Sequence, residues 1–265
     1  MLTALALLVG LTASGQGTTA AATDGLPVDV ELVLAVDVSG SMDIEEAEIQ
    51  RAGYVEALTH PEFLAAVKEG VNGRIAISYF EWAGTVNDSS FIPWQTISSA
   101  GQAASFAAKL AARPIASRRG TSLSAAIAYG SGLFAGNGYE GMRRVIDVSG
   151  DGPNNFGAPV TPARDAATAL GIVINGLAIT IRPSSAYGPL DEYYAACVIG
   201  GPGAFVLAVQ EPEDFAIAIR RKLIIEVSGR DAPARLLRAS DRTDCLIGEK
   251  LRPGFSERYY PELDK

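Results

Sequence analysis

The chain has 265 residues, with 22 Lys and Arg against 30 Asp and Glu, one His and two Cys. A single His excludes a multi-His metal site, two distant Cys exclude a four-Cys zinc site or a CxxC redox pair, and a net charge of -8 disfavours binding to nucleic-acid phosphates. With 48% hydrophobic and 20% charged residues the chain is a folded one, long enough to bury a core, and the chemistry left to it is that of oxygen, which suits hard cations.

Leu2 to Val9 is almost continuously apolar, and Ala20-Ala21-Ala22 precede Thr23 after a small, polar stretch. That pattern predicts a signal peptide over residues 1–22 and export to the periplasm or the medium. No Lys or Arg follows Met1, as an incomplete N-terminus or a late start site would leave it; a frayed hydrophobic tail is the alternative reading. No later segment approaches the ~20 apolar residues of a membrane helix, so no span is expected in the mature chain.

Leu32 to Val36 (LVLAV) ends at Asp37 and predicts a central strand covered on both faces. Asp43 and Glu46 stand in capping-box spacing, predicting a helix to about Leu58, and Pro61 opens another to about Lys68. Arg74 to Phe80 alternates as a strand does. Gly84 marks a turn, and Phe91, Ile92 and Trp94, interrupted by Pro93, predict an edge strand. Gln102 to Ala112 and Ser122 to Phe134 read as helices. Val145 to Ser149 reads as a short strand ending in the turn Gly150-Asp151-Gly152-Pro153. A helix (Pro162 to Leu170), a strand (Ile172 to Ile179), a short helix (Leu190 to Ala196), a strand (Ala204 to Val209) and a helix (Pro212 to Ile225) follow.

This alternation predicts an α/β fold over residues 28–225: a doubly wound, mostly parallel six-stranded sheet flanked by helices. Ligands of such sheets bind beyond the carboxyl ends of the strands, where the strand order reverses. Residues 226–265 are more polar and read as a C-terminal extension packed on the domain. In an oxidising compartment Cys197 and Cys245 are expected to pair, closing a loop of about 48 residues and stabilising the fold by about 4 kcal/mol. Two unrelated buried thiols are the alternative.

Three segments fall at boundaries of these elements. Asp37, Ser39 and Ser41 alternate directly after the first strand, with Gly40 allowing a tight bend. Gly120-Thr121-Ser122 opens a helix, and Ser149-Gly150-Asp151-Gly152 ends a later strand. Alone, the first segment also reads as a turn at Asp37 with Ser39 and Ser41 capping the next helix. Together, the three place two carboxylates and three hydroxyls at one edge of the sheet.

DVSGSM after an apolar strand resembles the first motif of the von Willebrand factor A domain, and the likeness is greatest to uncharacterised exported bacterial members of that family. The resemblance covers roughly residues 28 to 225 and implies a Rossmann-like sheet carrying a metal-ion-dependent adhesion site. It assigns Asp37, Ser39 and Ser41 to the first motif, Thr121 (in RGTSLSAAI) to the threonine position and Asp151 (in VSGDGPNN) to the last carboxylate. It implies Mg2+, with Mn2+ or Ca2+ as alternatives, held directly by the hydroxyls and directly or through water by the aspartates. Neutral hydroxyls leave much of such a cation's charge uncompensated, so it attracts an outside carboxylate even on a chain of net charge -8.

The predicted function is that of an exported, non-enzymatic binding module that captures a protein partner through the partner's acidic side chain. A metal-assisted hydrolase of the phosphatase type, using Asp37 or Asp151, is one alternative; no lysine stands near these residues in sequence, which counts against it. A structural domain that holds no metal is the other. Asp147 is expected to be buried and structural. Arg118 and Arg119 read as a solvated loop or as steering charges. Trp82, Trp94 and Phe156 read as interface anchors or as partly buried residues, and His60 as a surface residue. The sequence leaves the oligomeric state open.

Overall fold

The computed structural model describes residues 25–40, 44–115, 118–229 and 243–252. The signal-peptide reading at residues 1–22, and the site and capping positions Ser41 and Asp43, lie outside the described residues.

Strand β1 (Leu26–Asp37) is buried from Val28 onward, because its alternate residues face two separate cores. Val30, Leu32, Leu34 and Val36 pack against helices α1 (Ile44–Thr59), α2 (Pro61–Lys68), α3 (Ala100–Ala111) and α7 (Phe215–Ser228). Val33 and Ala35 pack on the other side against α4 (Leu123–Gly132), α5 (Val160–Ala169) and α6 (Leu190–Tyr193). A continuous apolar run such as LVLAV is what a strand covered on both faces requires.

The sheet has six strands in the order β3-β2-β1-β4-β5-β6, the remaining five being β2 (Ile75–Trp82), β3 (Val86–Ile97), β4 (Tyr139–Gly150), β5 (Ile172–Ile179) and β6 (Val206–Val209). All neighbours run parallel except β3, which pairs antiparallel with β2 at one edge. Pro93 lies in that edge strand where the register shifts between Ile77 and Tyr79, so the residue without an N–H falls at a bulge.

β1 and β4 both begin earlier than their apolar runs. Asp29, within β1, accepts hydrogen bonds from the backbone N–H groups of Asn72 and Arg74. Glu31 accepts from the N–H of Gly141 and the amide of Asn137. These carboxylates are buried because their partners are supplied by the neighbouring strand ends.

Beyond β5, the short helix α6 continues as a π-helical turn, Tyr194–Val198. Cys197 of that turn is disulfide-bonded to Cys245, with Cα atoms 5.5 Å apart. A short helix, α8 (Ile247–Lys250), follows. Among the described residues no helix is long and apolar enough to cross a membrane.

Candidate metal centre

The chain leaves β1 toward β2 and β3, and leaves β4 toward β5 and β6, so the sheet's switch point lies between β1 and β4. Asp37 is the last residue of β1 and Asp151 directly follows β4. Both carboxylates therefore stand at the carboxyl end of that crevice. The Ser39 N–H donates to Asp37 Oδ1 at 2.7 Å, and the Ser39 hydroxyl donates to Asp151 Oδ1 at 3.4 Å. Residues from the two central strand ends are thus in direct contact. Gly150 makes the approach feasible: a Cβ there would lie 2.6 Å from the Tyr194 hydroxyl and 2.9 Å from Asp37 Oδ2.

Thr121 reaches the same edge through backbone bonds. The N–H of Val38 donates to Trp82 O, that of Arg118 to Val38 O, and that of Ser122 to Ala83 O. The loop before α4 is thereby laid along the ends of β1 and β2. On its other side, the Thr121 N–H donates to Asn155 Oδ1 at 2.9 Å, and the N–H groups of Asn155 and Phe156 donate to Thr121 O at 2.8 and 3.1 Å. The Ser124 N–H donates to Asn154 Oδ1 at 3.1 Å, while the Ser122 side chain caps α4 by accepting from Ala125 N–H. Asp37, Ser39 and Asp151 are in mutual contact, and Thr121 is tied to the loop that follows Asp151.

The electrostatics of this cluster are unbalanced. Asp37 is fully buried, its Oδ2 has no hydrogen-bond partner, and no cationic side chain among the described residues pairs with it. Burial pushes its carboxyl well above the ordinary range and the neighbouring Asp151 charge pushes it further, while the Ser39 N–H, the Ser39 hydroxyl and the Asp151 N–H pull it back in part. The Tyr194 hydroxyl, also buried and unpartnered, is pushed up by burial and then by Asp37 and Asp151. An orphaned carboxylate oxygen beside a second carboxylate and a serine hydroxyl suits a hard cation, which takes oxygen ligands. Among the described residues no three His, Cys, Asp or Glu side chains gather as a metal group, so hydroxyls must supply the rest of any such set.

The other singled-out residues fall elsewhere. Asp147 is buried in the core and ion-paired with Lys222 at 2.7 Å; Lys222 also pairs with Glu226 at 2.5 Å, and Asn175 donates to Glu226. Trp82 is buried, Trp94 donates to Leu133 O and packs on Phe134, and Phe156 is exposed. Arg118 and Arg119 are exposed, with Arg118 donating to Asn87. His60 caps α2 by accepting from Glu62 N–H. Sequence reasoning did not find Tyr187, whose hydroxyl donates to Asp151 O at 3.3 Å, nor Tyr194, Asn154 and Asn155. The Asn pair just past the Gly-Asp-Gly-Pro turn was a usable signal; nothing near Tyr194 in sequence marks it.

Strand order, edge strand and helical layers give a doubly wound α/β fold, and solved structures of von Willebrand factor A type share that fold. Proximal thread matrix protein 1 from the mussel byssus, in a form with a zinc-occupied MIDAS motif, is 14% identical over 77% of this chain and 49% of its own, with a TM-score of 0.53. The pilus adhesin SpaC from Lactobacillus rhamnosus GG is 13% identical over 77% of this chain and 31% of its own, with a TM-score of 0.55. The von Willebrand factor type A protein from Catenulispora acidiphila is 13% identical over 76% of this chain and 43% of its own, with a TM-score of 0.50. The chain thus spans half the length of these proteins or less. The family model described as protein of unknown function (DUF1194) matches residues 27–231, and the chain belongs to that family. No curated protein matches it in sequence.

Proposed function

We propose that the chain is an exported binding module in which Asp37, Ser39, Ser41, Thr121 and Asp151 hold a divalent cation, Mg2+ first, to capture a protein partner through an acidic side chain. The observation that carries this reading is Asp37 Oδ2, buried without a partner beside Asp151 at the sheet's switch point. A buried unpaired charge is costly, and a cation offsets it. Ser39 orients Asp37 through its N–H and Asp151 through its hydroxyl, so one residue aims both carboxylates. When bound, the cation supplies a positive charge open to an outside carboxylate.

Export is supported by the Cys197–Cys245 disulfide, since such bonds persist in oxidising compartments. We favour binding over hydrolysis because Lys222 is fully buried and engaged by Asp147 and Glu226, leaving it no part in phosphoryl transfer at Asp37. The test is capture from the native source with Mg2+ and with chelator, using wild type and Asp151→Ala. A partner retained by wild type in Mg2+, released by chelator and missed by the variant supports the proposal. The same retained proteins in all three conditions contradict it. Turnover of a phosphate ester that vanishes in Asp37→Ala would favour the hydrolase instead.

A further inference from the structure

We infer that residues 243–252 are a positioning strap for the candidate metal centre, with Cys245, Glu249 and Arg252 fixing the loop from Asp151 to Phe156. This rests on the metal-site reading above. The loop carries Asp151 at its start, and its Asn155 and Asn154 side chains accept from the N–H groups of Thr121 and Ser124. The strap holds those same two asparagines. Asn154 Nδ2 donates to the buried Glu249 Oε1 at 2.6 Å. Arg252 donates to Asn155 O at 2.9 Å and lies over the Phe156 ring, 5.6 Å from its centroid. The fit is close: a Cβ on Gly248 would sit 2.1 Å from Asn154 O, so no side chain is tolerated there.

The disulfide joins the strap to the other wall of the site. Cys197 lies in the π-helical turn that begins at Tyr194, whose hydroxyl faces Asp37 across Gly150. Tyr193 completes the tie, accepting from Asn154 N–H at 3.2 Å and donating to Cys245 O at 3.4 Å. One short segment thus touches the loop that follows Asp151 and holds Thr121, and is bonded to the turn whose Tyr194 lies beside Asp37, so the geometry of the cation's ligands depends on it. Opening the disulfide with a dithiol breaks the S–S bond, yields thiols at Cys197 and Cys245, and converts the dithiol to its own disulfide; the strap is then held by non-covalent contacts alone.

The test compares oxidised wild type, dithiol-treated wild type, Glu249→Ala, Glu249→Gln and Arg252→Ala. Mg2+ affinity is read by calorimetry, and hydrogen exchange at the Thr121 and Ser124 amides provides a metal-free readout. Glu249→Ala and the reduced protein should bind Mg2+ about tenfold more weakly and exchange both amides about tenfold faster, as loss of one or two buried hydrogen bonds implies. Glu249→Gln, which still accepts from Asn154, should stay within about twofold of wild type. Should Glu249→Ala not fold, Arg252→Ala on the surface carries the test, with an expected loss of about threefold in both readouts. Folded strap variants with wild-type Mg2+ affinity and wild-type exchange would overturn the strap. Oxidised wild type that binds no Mg2+ would overturn the metal-site reading instead, and the exchange rates would still decide whether the strap fixes the loop.

Discussion

Replacing Asp37 by Asn should raise stability in chelator and remove most of the gain from magnesium. In the wild type, Asp37 Oδ1 accepts from the Ser39 N–H while Oδ2 is buried, unpartnered and beside Asp151. Asn keeps the first acceptor and puts a neutral donor where the orphaned anion stood. Relief of an unsatisfied buried group is worth about 1–3 kcal/mol. For a domain of about 200 residues that raises Tm by roughly 3–9 °C in chelator. The pH sign follows from the direction of the shift. Asp37 titrates above its unfolded value, so its contribution to stability is present below the unfolded carboxylate pKa and lost as pH rises through the folded pKa. The advantage of Asn is therefore absent in acid and grows toward alkaline pH. Wild type in Mg2+ at about 100 times Kd gains about 2.7 kcal/mol, whereas the variant gains little. Scanning calorimetry in chelator and in Mg2+, at pH 6 and pH 8, reads both effects. A variant that melts below wild type in chelator and keeps the full Mg2+ shift would show that Asp37 is neither a costly buried charge nor a ligand.

Gly150→Ala places a methyl group 2.6 Å from the Tyr194 hydroxyl and 2.9 Å from Asp37 Oδ2, so Asp37 must move. The expected result is a loss of about 1–3 kcal/mol in chelator by denaturant unfolding, with Mg2+ affinity weakened at least tenfold in calorimetry; unaltered affinity contradicts the geometry. The buried group formed by Asp147, Glu226 and Lys222 holds two carboxylates and one ammonium, and Glu226 is pushed up to about 7, first by burial and then by Asp147. Its stabilising effect is present below about pH 4.5 and is lost as pH rises through about 7, a change on the order of 3 kcal/mol. Urea midpoints at pH 5 and pH 8 should show that decline in wild type and a flatter profile in Glu226→Gln; equal slopes would contradict it.

The fold was legible where apolar pattern and turn chemistry agreed. Strand β5 spans Ile172–Ile179 and helix α2 spans Pro61–Lys68, as their sequences predict, and Pro93 lies in the edge strand where the sequence put it. Pattern failed where polar residues are buried with distant partners. Asp29 and Glu31 hid the first half of β1, because their hydrogen-bond partners lie 43 and 110 residues away. The contact among Asp37, Ser39 and Asp151 was legible because these residues stand at the ends of β1 and β4, which a doubly wound sheet brings together at its switch point. Their supports were not. Asn154 and Glu249 are 95 residues apart, Asn155 and Arg252 97, and neither pair follows from periodicity. Of the aromatic residues read at the binding edge, Trp82 is buried because β2 continues through it, Trp94 lies away from that edge, opposite the middle of β2, and packs on Phe134, and Phe156 is exposed.

In the proposed function a divalent cation sits between the ends of β1 and β4. Calorimetric titration of the chelator-stripped chain with Mg2+ tests it most directly, with Asp37→Asn and Asp151→Asn titrated alongside. One saturable site is expected in the wild type and at least a hundredfold weaker binding in each variant, since each loses a charged oxygen at the ion. Absence of saturable heat in the folded wild type, or equal binding in all three proteins, would contradict it.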